Sequence, residues 1–174
     1  MTSRSACKQM GFEEVYDKYF ARIYNYIRYR VLDRGAADDL VSAVFEKVLD
    51  NFASFDPARA PLEPWLFAIA RNTLNDYFRR RRVRGWFSLT DREETIASGE
   101  SVEGTAQRNE ETARLLAALG ELSEVERELI AMKFTLDLTN RDIAAQAGLG
   151  ESHVGVILFR AMGKLRERLG PETI

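Results

Sequence analysis

The chain has 174 residues, 45% hydrophobic and 30% charged, with a formal charge of −2, which bounds it to one or two small domains and excludes a wholly disordered or fibrous protein. Its longest apolar stretches, Trp65 to Ala70 and Val154 to Phe159, fall far short of the roughly 18 residues of a membrane span, and the N-terminal stretch carries no apolar signal-peptide core, so a cytoplasmic protein without membrane insertion is expected. One cysteine, Cys7, excludes an intramolecular disulfide and one histidine, His153, leaves too few soft ligands for structural zinc, so no metal and no other cofactor is expected.

Residues 1–9 read as an N-terminal tail. From Phe12, apolar residues recur at Val15, Tyr16, Tyr19, Phe20, Ile23, Tyr24 and Ile27, the steps of three and four that define one face of a helix. A second helix follows Asp33-Arg34-Gly35, with Leu40, Val41, Val44, Phe45, Val48, Leu49 and Phe52 on its inner face and Asp38 and Asp39 expected in its first turn, where the helix dipole favours carboxylates. Phe55-Asp56-Pro57 to Pro61 must be a loop. Pro64 suits the first turn of a third helix bearing Trp65, Leu66, Ile69, Ala70, Thr73, Leu74, Tyr77 and Phe78. No alternating strand pattern interrupts these segments, so residues 10–84 are expected to form an all-α bundle.

Residues 85–107 lose the periodicity and gain Gly, Ser, Thr and Glu, and are expected to be a flexible acidic linker. Residues 108–170 resume the helical pattern as a second small domain. Leu115, Leu116 and Leu119 share one helix, and Ser123 with Glu126 has capping-box spacing before a helix with Leu129, Ile130 and Phe134. Thr139 and Asp142 repeat that spacing ahead of Ile143, Ala144 and Ala147. Gly148 then supplies a turn into a longer helix with Val154, Leu158, Ala161, Met162, Leu165 and Leu169, the order of a helix-turn-helix.

The small net charge conceals a segmental one. Residues 1–90 hold 15 Lys and Arg against 11 Asp and Glu, 91–107 hold one against five, and 108–170 hold nine against ten. Positive charge is concentrated at Arg79, Arg80, Arg81, Arg82 and Arg84. Upstream on the same predicted helix lie Arg71, Asn72, Asn75 and Asp76. Arg and Asn carry forked or amide ends that match phosphates and base edges, so this polar face suits a nucleic-acid duplex, while an ordinary solvated helix face would look similar.

Three ordered segments resemble region 2 of a bacterial sigma factor of the sigma-70 family, extracytoplasmic-function group: Phe12-Glu13-Glu14-Val15-Tyr16 with Tyr19; Asp38-Asp39-Leu40-Val41 with Val44-Phe45; and Pro64-Trp65-Leu66 followed by Ile69-Ala70-Arg71-Asn72. Leu119 to Leu122, Arg127-Glu128 and the stretch from Thr139 to Leu169 resemble region 4. The resemblance implies a dissociable specificity subunit that binds core RNA polymerase, through the clamp helices of its largest subunit and the flap of the second-largest, and directs initiation at promoter DNA through its −10 and −35 elements.

It further implies roles for individual residues. Asn51, Phe55, Trp65, Arg71, Asn72, Asn75, Asp76, Arg79, Arg80, Arg81 and Arg82 would serve the −10 element and melting. Ser152, His153, Val156, Arg160, Lys164 and Arg166 would serve the −35 element, and Asp38, Asp39, Leu40, Ser42 and Glu46 would face the polymerase. An anti-sigma factor is an expected partner. Trp65 fits either core packing at a helix start or base contact.

Two places depart from the family pattern. Ser42-Ala43 stands where a Gln-Glu pair is common, and Gly155, Val156 and Ile157 replace the small polar and basic residues usual in the recognition helix. DNA readout would then lean on phosphate contacts, shape and thymine methyls rather than forked hydrogen bonds; alternatively, Val156 and Phe159 form an apolar patch for another protein. The alternative function is a stand-alone helix-turn-helix transcription regulator, which would bind duplex DNA without polymerase. An enzyme is not expected, since no nucleophile, base and orienter set is suggested and no glycine-rich phosphate loop follows a strand.

Overall fold

A computed structural model describes residues 10–87 and 106–170, with side chains over 10–83 and 110–170. Among the described residues every regular element is a helix: α1 (Phe12–Val31), α2 (Arg34–Phe52), α3 (Leu62–Phe87), α4 (Ala106–Gly120), α5 (Glu124–Thr135), α6 (Asn140–Ala147) and α7 (Glu151–Leu169). The all-α expectation holds. The tail and the centre of the expected linker, 88–105, lie outside the described residues. The helix preceding that linker runs three residues past the expected boundary, to Phe87. The chain forms two compact units, one of residues 10–27 and 35–87, the other of 28–34 and 106–170.

In the first unit the apolar face of α1 is buried through Val15, Tyr19, Ile23 and Ile27. It meets α2 in the Tyr16–Phe45 ring pair at 4.6 Å and α3 in the Tyr26–Phe67 edge contact at 6.4 Å. Aromatic pairs of this kind add about 0.5–1.5 kcal/mol beyond their buried area. Leu66, Ala70 and Leu74 complete the core from α3, and the Lys47 ammonium donates to the buried Thr73 hydroxyl at 3.0 Å, tying α2 to α3. The helix α1 ends where Leu32 enters the left-handed region at φ 61°, its N–H bonded to the Arg28 carbonyl at 3.0 Å.

Two expectations are corrected here. The second helix begins at Arg34, so Asp38 and Asp39 lie in its second turn and no acidic residue occupies the first. The dipole contribution assigned to them is thereby reduced, because it decays within the first turn. Leu49, placed on the buried face by its spacing, is 55% exposed. It lies at the rim of the α1–α2 contact, where nothing covers it among the described residues.

In the second unit α7 packs against α4, α5 and α6. Both anticipated capping boxes form: Ser123 with Glu126 opens α5, and Thr139 with Asp142 opens α6. Gly148 closes α6 at φ 67°, ψ 31°, a conformation costly for any residue with a Cβ, and its N–H bonds to the Ala144 carbonyl. Val154, Leu158, Ala161, Leu165 and Leu169 form the buried side of α7. Phe134, a core residue of α5 by its spacing, is instead 58% exposed; it falls beside Lys133 in the last turn, past Leu129, Ile130 and Met132, which fill the core.

Candidate nucleic-acid and protein interfaces

The loop between α2 and α3 is organised locally. The Asp56 carboxylate accepts from the Ala58 N–H at 2.9 Å and its carbonyl accepts from the Arg59 N–H at 3.0 Å, a turn that Asp-Pro favours. The Asn51 amide donates to the Lys47 carbonyl at 2.7 Å, and the Ser54 hydroxyl to the Asn51 carbonyl at 2.8 Å. Phe55 then lies against Trp65, ring centroids 4.8 Å apart, and both rings are half-buried. Trp65 thus braces the loop and keeps part of its surface exposed.

From Trp65 the helix α3 continues outward. At about 100° per residue, Asn72, Asn75, Asp76 and Arg79 align on one stripe opposite Ala70 and Leu74, with Arg80 and Arg82 on its flanks and Arg81 on the other side, seven residues beyond Leu74. Asn72, Asn75 and the four arginines Arg79 to Arg82 are exposed, and Arg71 and Asp76 are half-buried. Arg79 donates to Asp76 at 2.9 Å, so two of the sequence-derived candidates are engaged with each other.

A second surface lies between α1 and α2. Phe12, Tyr16 and Phe20 from one helix and Val41, Ser42, Phe45, Glu46 and Leu49 from the other line a shallow groove of about 270 Å³. Asp38, Asp39, Ser42 and Glu46 are exposed on this side of α2, whereas Leu40 is in the core at 9% exposure. The apolar wall of the groove is not legible in the sequence, because Tyr16, Phe20 and Leu49 fit a buried face as well as a half-open one; only packing separates the two.

On α7, Ser152, His153, Val156, Arg160, Lys164 and Arg166 are all exposed. Lys164 is bound to Glu126 of α5, its Nζ 2.7 and 2.9 Å from the two carboxylate oxygens. Burial acts to raise the Glu126 pKa, but hydrogen bonds from Lys164 and from the Ser123 N–H and hydroxyl outweigh it and hold the carboxyl below its ordinary range. Arg168 pairs likewise with Glu121 at 2.6 Å. Among the described residues no group of three or more His, Cys, Asp or Glu side chains is arranged to hold a metal ion, and no helix is long and apolar enough to cross a membrane.

Residues 15–84 match the family model of sigma-70 region 2, and residues 112–165 that of sigma-70 region 4. The chain is 32% identical over 143 residues to the RNA polymerase sigma factor CnrH of Cupriavidus metallidurans, covering 78% of this chain and 74% of CnrH. It is 28% identical over 159 residues to the ECF RNA polymerase sigma factor BldN of Streptomyces coelicolor, covering 91% of this chain but spanning only 60% of BldN. Among solved structures, the sigma factor RpoE of Bartonella quintana, in complex with the anti-sigma factor NepR, shares the fold with a TM-score of 0.72 at 23% identity, covering 92% of this chain and 98% of that one.

Proposed function

The chain belongs to the sigma-70 family, in its extracytoplasmic-function group, and from that premise we propose that it binds core RNA polymerase and directs initiation at promoters through two separate DNA contacts. The observation that carries this reading is the pairing, in one chain, of an aromatic-braced loop and Asn/Arg stripe in the first unit with a helix-turn-helix in the second, whose first helix is capped by Thr139 and closed by Gly148.

Melting needs unstacked bases to be captured beside a cationic surface. Asn51, Phe55 and Trp65 supply polar and aromatic surface at the loop, and Asn72, Asn75 and Arg79 to Arg82 continue along α3 as duplex and phosphate contacts. Asp76 holds Arg79 within that stripe, and Arg71 flanks it. The exposed acids Asp38, Asp39 and Glu46, beside the apolar groove, suit a basic helical surface such as the polymerase clamp helices, with carboxylates steering the encounter and aromatic rings supplying adhesion. Leu40 acts from within the core by fixing α2. In the second unit α7 reads the upstream element and the same unit engages the polymerase flap.

In this reading the polymerase performs the chemistry and the chain acts as a cytoplasmic, non-enzymatic specificity subunit. An anti-sigma factor that covers the α1–α2 groove would compete directly with polymerase. A stand-alone regulator is not favoured, because both sigma regions are matched in their family order.

The test is run-off transcription with purified bacterial core polymerase and a promoter library, beside gel shift by the chain alone. Specific initiation with polymerase and negligible duplex binding without it is expected. Tight duplex binding alone, with no redirected initiation, overturns the proposal.

A further inference from the structure

The outer face of α7 carries two exposed apolar side chains, Val156 and Phe159, where a reading helix ordinarily carries donors. At about 100° per residue, the point farthest from buried Val154, Leu158, Ala161 and Leu165 is Val156, with Ser152, Phe159 and Arg160 around it. Val156 is 46% exposed and Phe159 77%. The remaining positions of that turn, Gly155 and Ile157, offer no hydrogen-bonding side chain either.

In a helix-turn-helix this outward face enters the major groove, and the groove displays one apolar feature, the C5-methyl of thymine. Cationic side chains flank the stripe. Arg160 and Arg141 are exposed and have no ion-pair partner among the described residues, whereas Lys164 and Arg168 are held by Glu126 and Glu121. Arg160 beside the apolar centre and Arg141 on α6 are thus available for phosphates. The patch is also small: a valine and a phenylalanine expose on the order of 200 Å², against about 800 Å² per partner in a stable protein interface.

Resting on the reading of α7 as the upstream-element helix, we infer that Val156 and Phe159 select thymines on neighbouring base pairs through their C5-methyl groups. Three residues apart, the two side chains are separated by about 4.5 Å along the helix axis, against about 3.4 Å for one base-pair step, so they reach neighbouring pairs rather than the same one. The preference is therefore for adjacent A·T pairs at the centre of the upstream element, with Arg141 and Arg160 fixing the register.

The experiment uses full-length chain reconstituted with core polymerase. Active promoters are selected from a library randomised in the upstream element, and each selected thymine is then replaced by deoxyuridine, which removes the methyl and leaves the hydrogen-bonding edge intact. Each replacement should weaken promoter binding about threefold to fivefold, the worth of one buried methyl. Val156→Ala and Phe159→Ala should each lower binding to the thymine promoter while abolishing the deoxyuridine effect at one position, with circular dichroism confirming unchanged helix content.

Equal binding of thymine and deoxyuridine promoters by an active holoenzyme overturns the inference alone. So does a loss in Val156→Ala and Phe159→Ala that appears at assembly with polymerase and not at the methyl, since the patch is then a protein contact. Absence of initiation from every promoter overturns the function reading first.

Discussion

Replacing Glu126 should unlock two elements at once, because its carboxylate serves both the start of α5 and the flank of α7. One oxygen accepts from the Ser123 N–H at 2.9 Å, completing the capping box, and both accept from Lys164. The side chain is only 14% exposed, while Lys164 is 51% exposed. A lost cap costs about 1 kcal/mol, and a half-exposed ion pair adds up to about 1 kcal/mol. Glu126→Ala should therefore destabilise the second unit by about 2 kcal/mol, and Glu126→Gln, which keeps an acceptor for the cap, by about half of that.

Hydrogen exchange of the α5 amides at neutral pH reads the local opening free energy directly. The pH dependence has a defined sign. A carboxyl held below its ordinary range in the folded state stabilises above the unfolded value, about 4.3, and that contribution disappears as pH falls through the lower folded value. The stability gap between the native chain and Glu126→Gln, followed by thermal circular dichroism, should be constant near neutrality and close in acid. A gap that persists unchanged at low pH, or α5 amides that exchange alike in all three proteins, would refute the coupling.

Two glycines on the helix-turn-helix should respond with opposite signs in thermal unfolding. Gly163 sits inside α7, where an added Cβ would meet nothing within 4 Å, so Gly163→Ala should stabilise by about 1 kcal/mol; Gly148 has equal space but φ 67°, so Gly148→Ala should cost about 1 kcal/mol. On α3, Arg80→Ala should reduce the slope of log binding against log salt for the promoter complex by about 0.9, one phosphate's worth. Because Asp76 pairs with Arg79 at 2.9 Å, Arg79→Ala should change the slope somewhat less, and Asp76→Asn should tighten binding slightly. Equal slopes for both arginine variants would remove the Asp76 contact from consideration.

Helices, caps and the glycine turn are legible in the sequence because each depends on local spacing: Ser123 with Glu126, Thr139 with Asp142, and Gly148 after Ala147 all occupy their expected places. What resists reading is the boundary between buried and open apolar surface. Leu49 and Phe134 satisfy the helical period as well as Val48 and Ile130 do, and only tertiary packing decides that the first pair stays exposed. The start of α2 is displaced for a related reason, since Arg34 and Gly35 carry no strong start signal, yet the chain turns helical directly after Leu32 and Asp33.

The charge pairs explain why residue type alone overstates a binding surface. Lys164 and Arg79 qualify as DNA contacts by their charge, and each has an intramolecular carboxylate at 2.7 and 2.9 Å respectively. A cation so engaged gives up a pair worth up to about 1 kcal/mol to meet a phosphate, whereas Arg80 and Arg160 can meet one without that step. The same discount applied to α7 sets aside Lys164 and leaves Arg160 and Arg166 exposed beside Val156 and Phe159. Sequence supplies the candidates for each surface, and the internal ion pairs decide which of them are available to DNA.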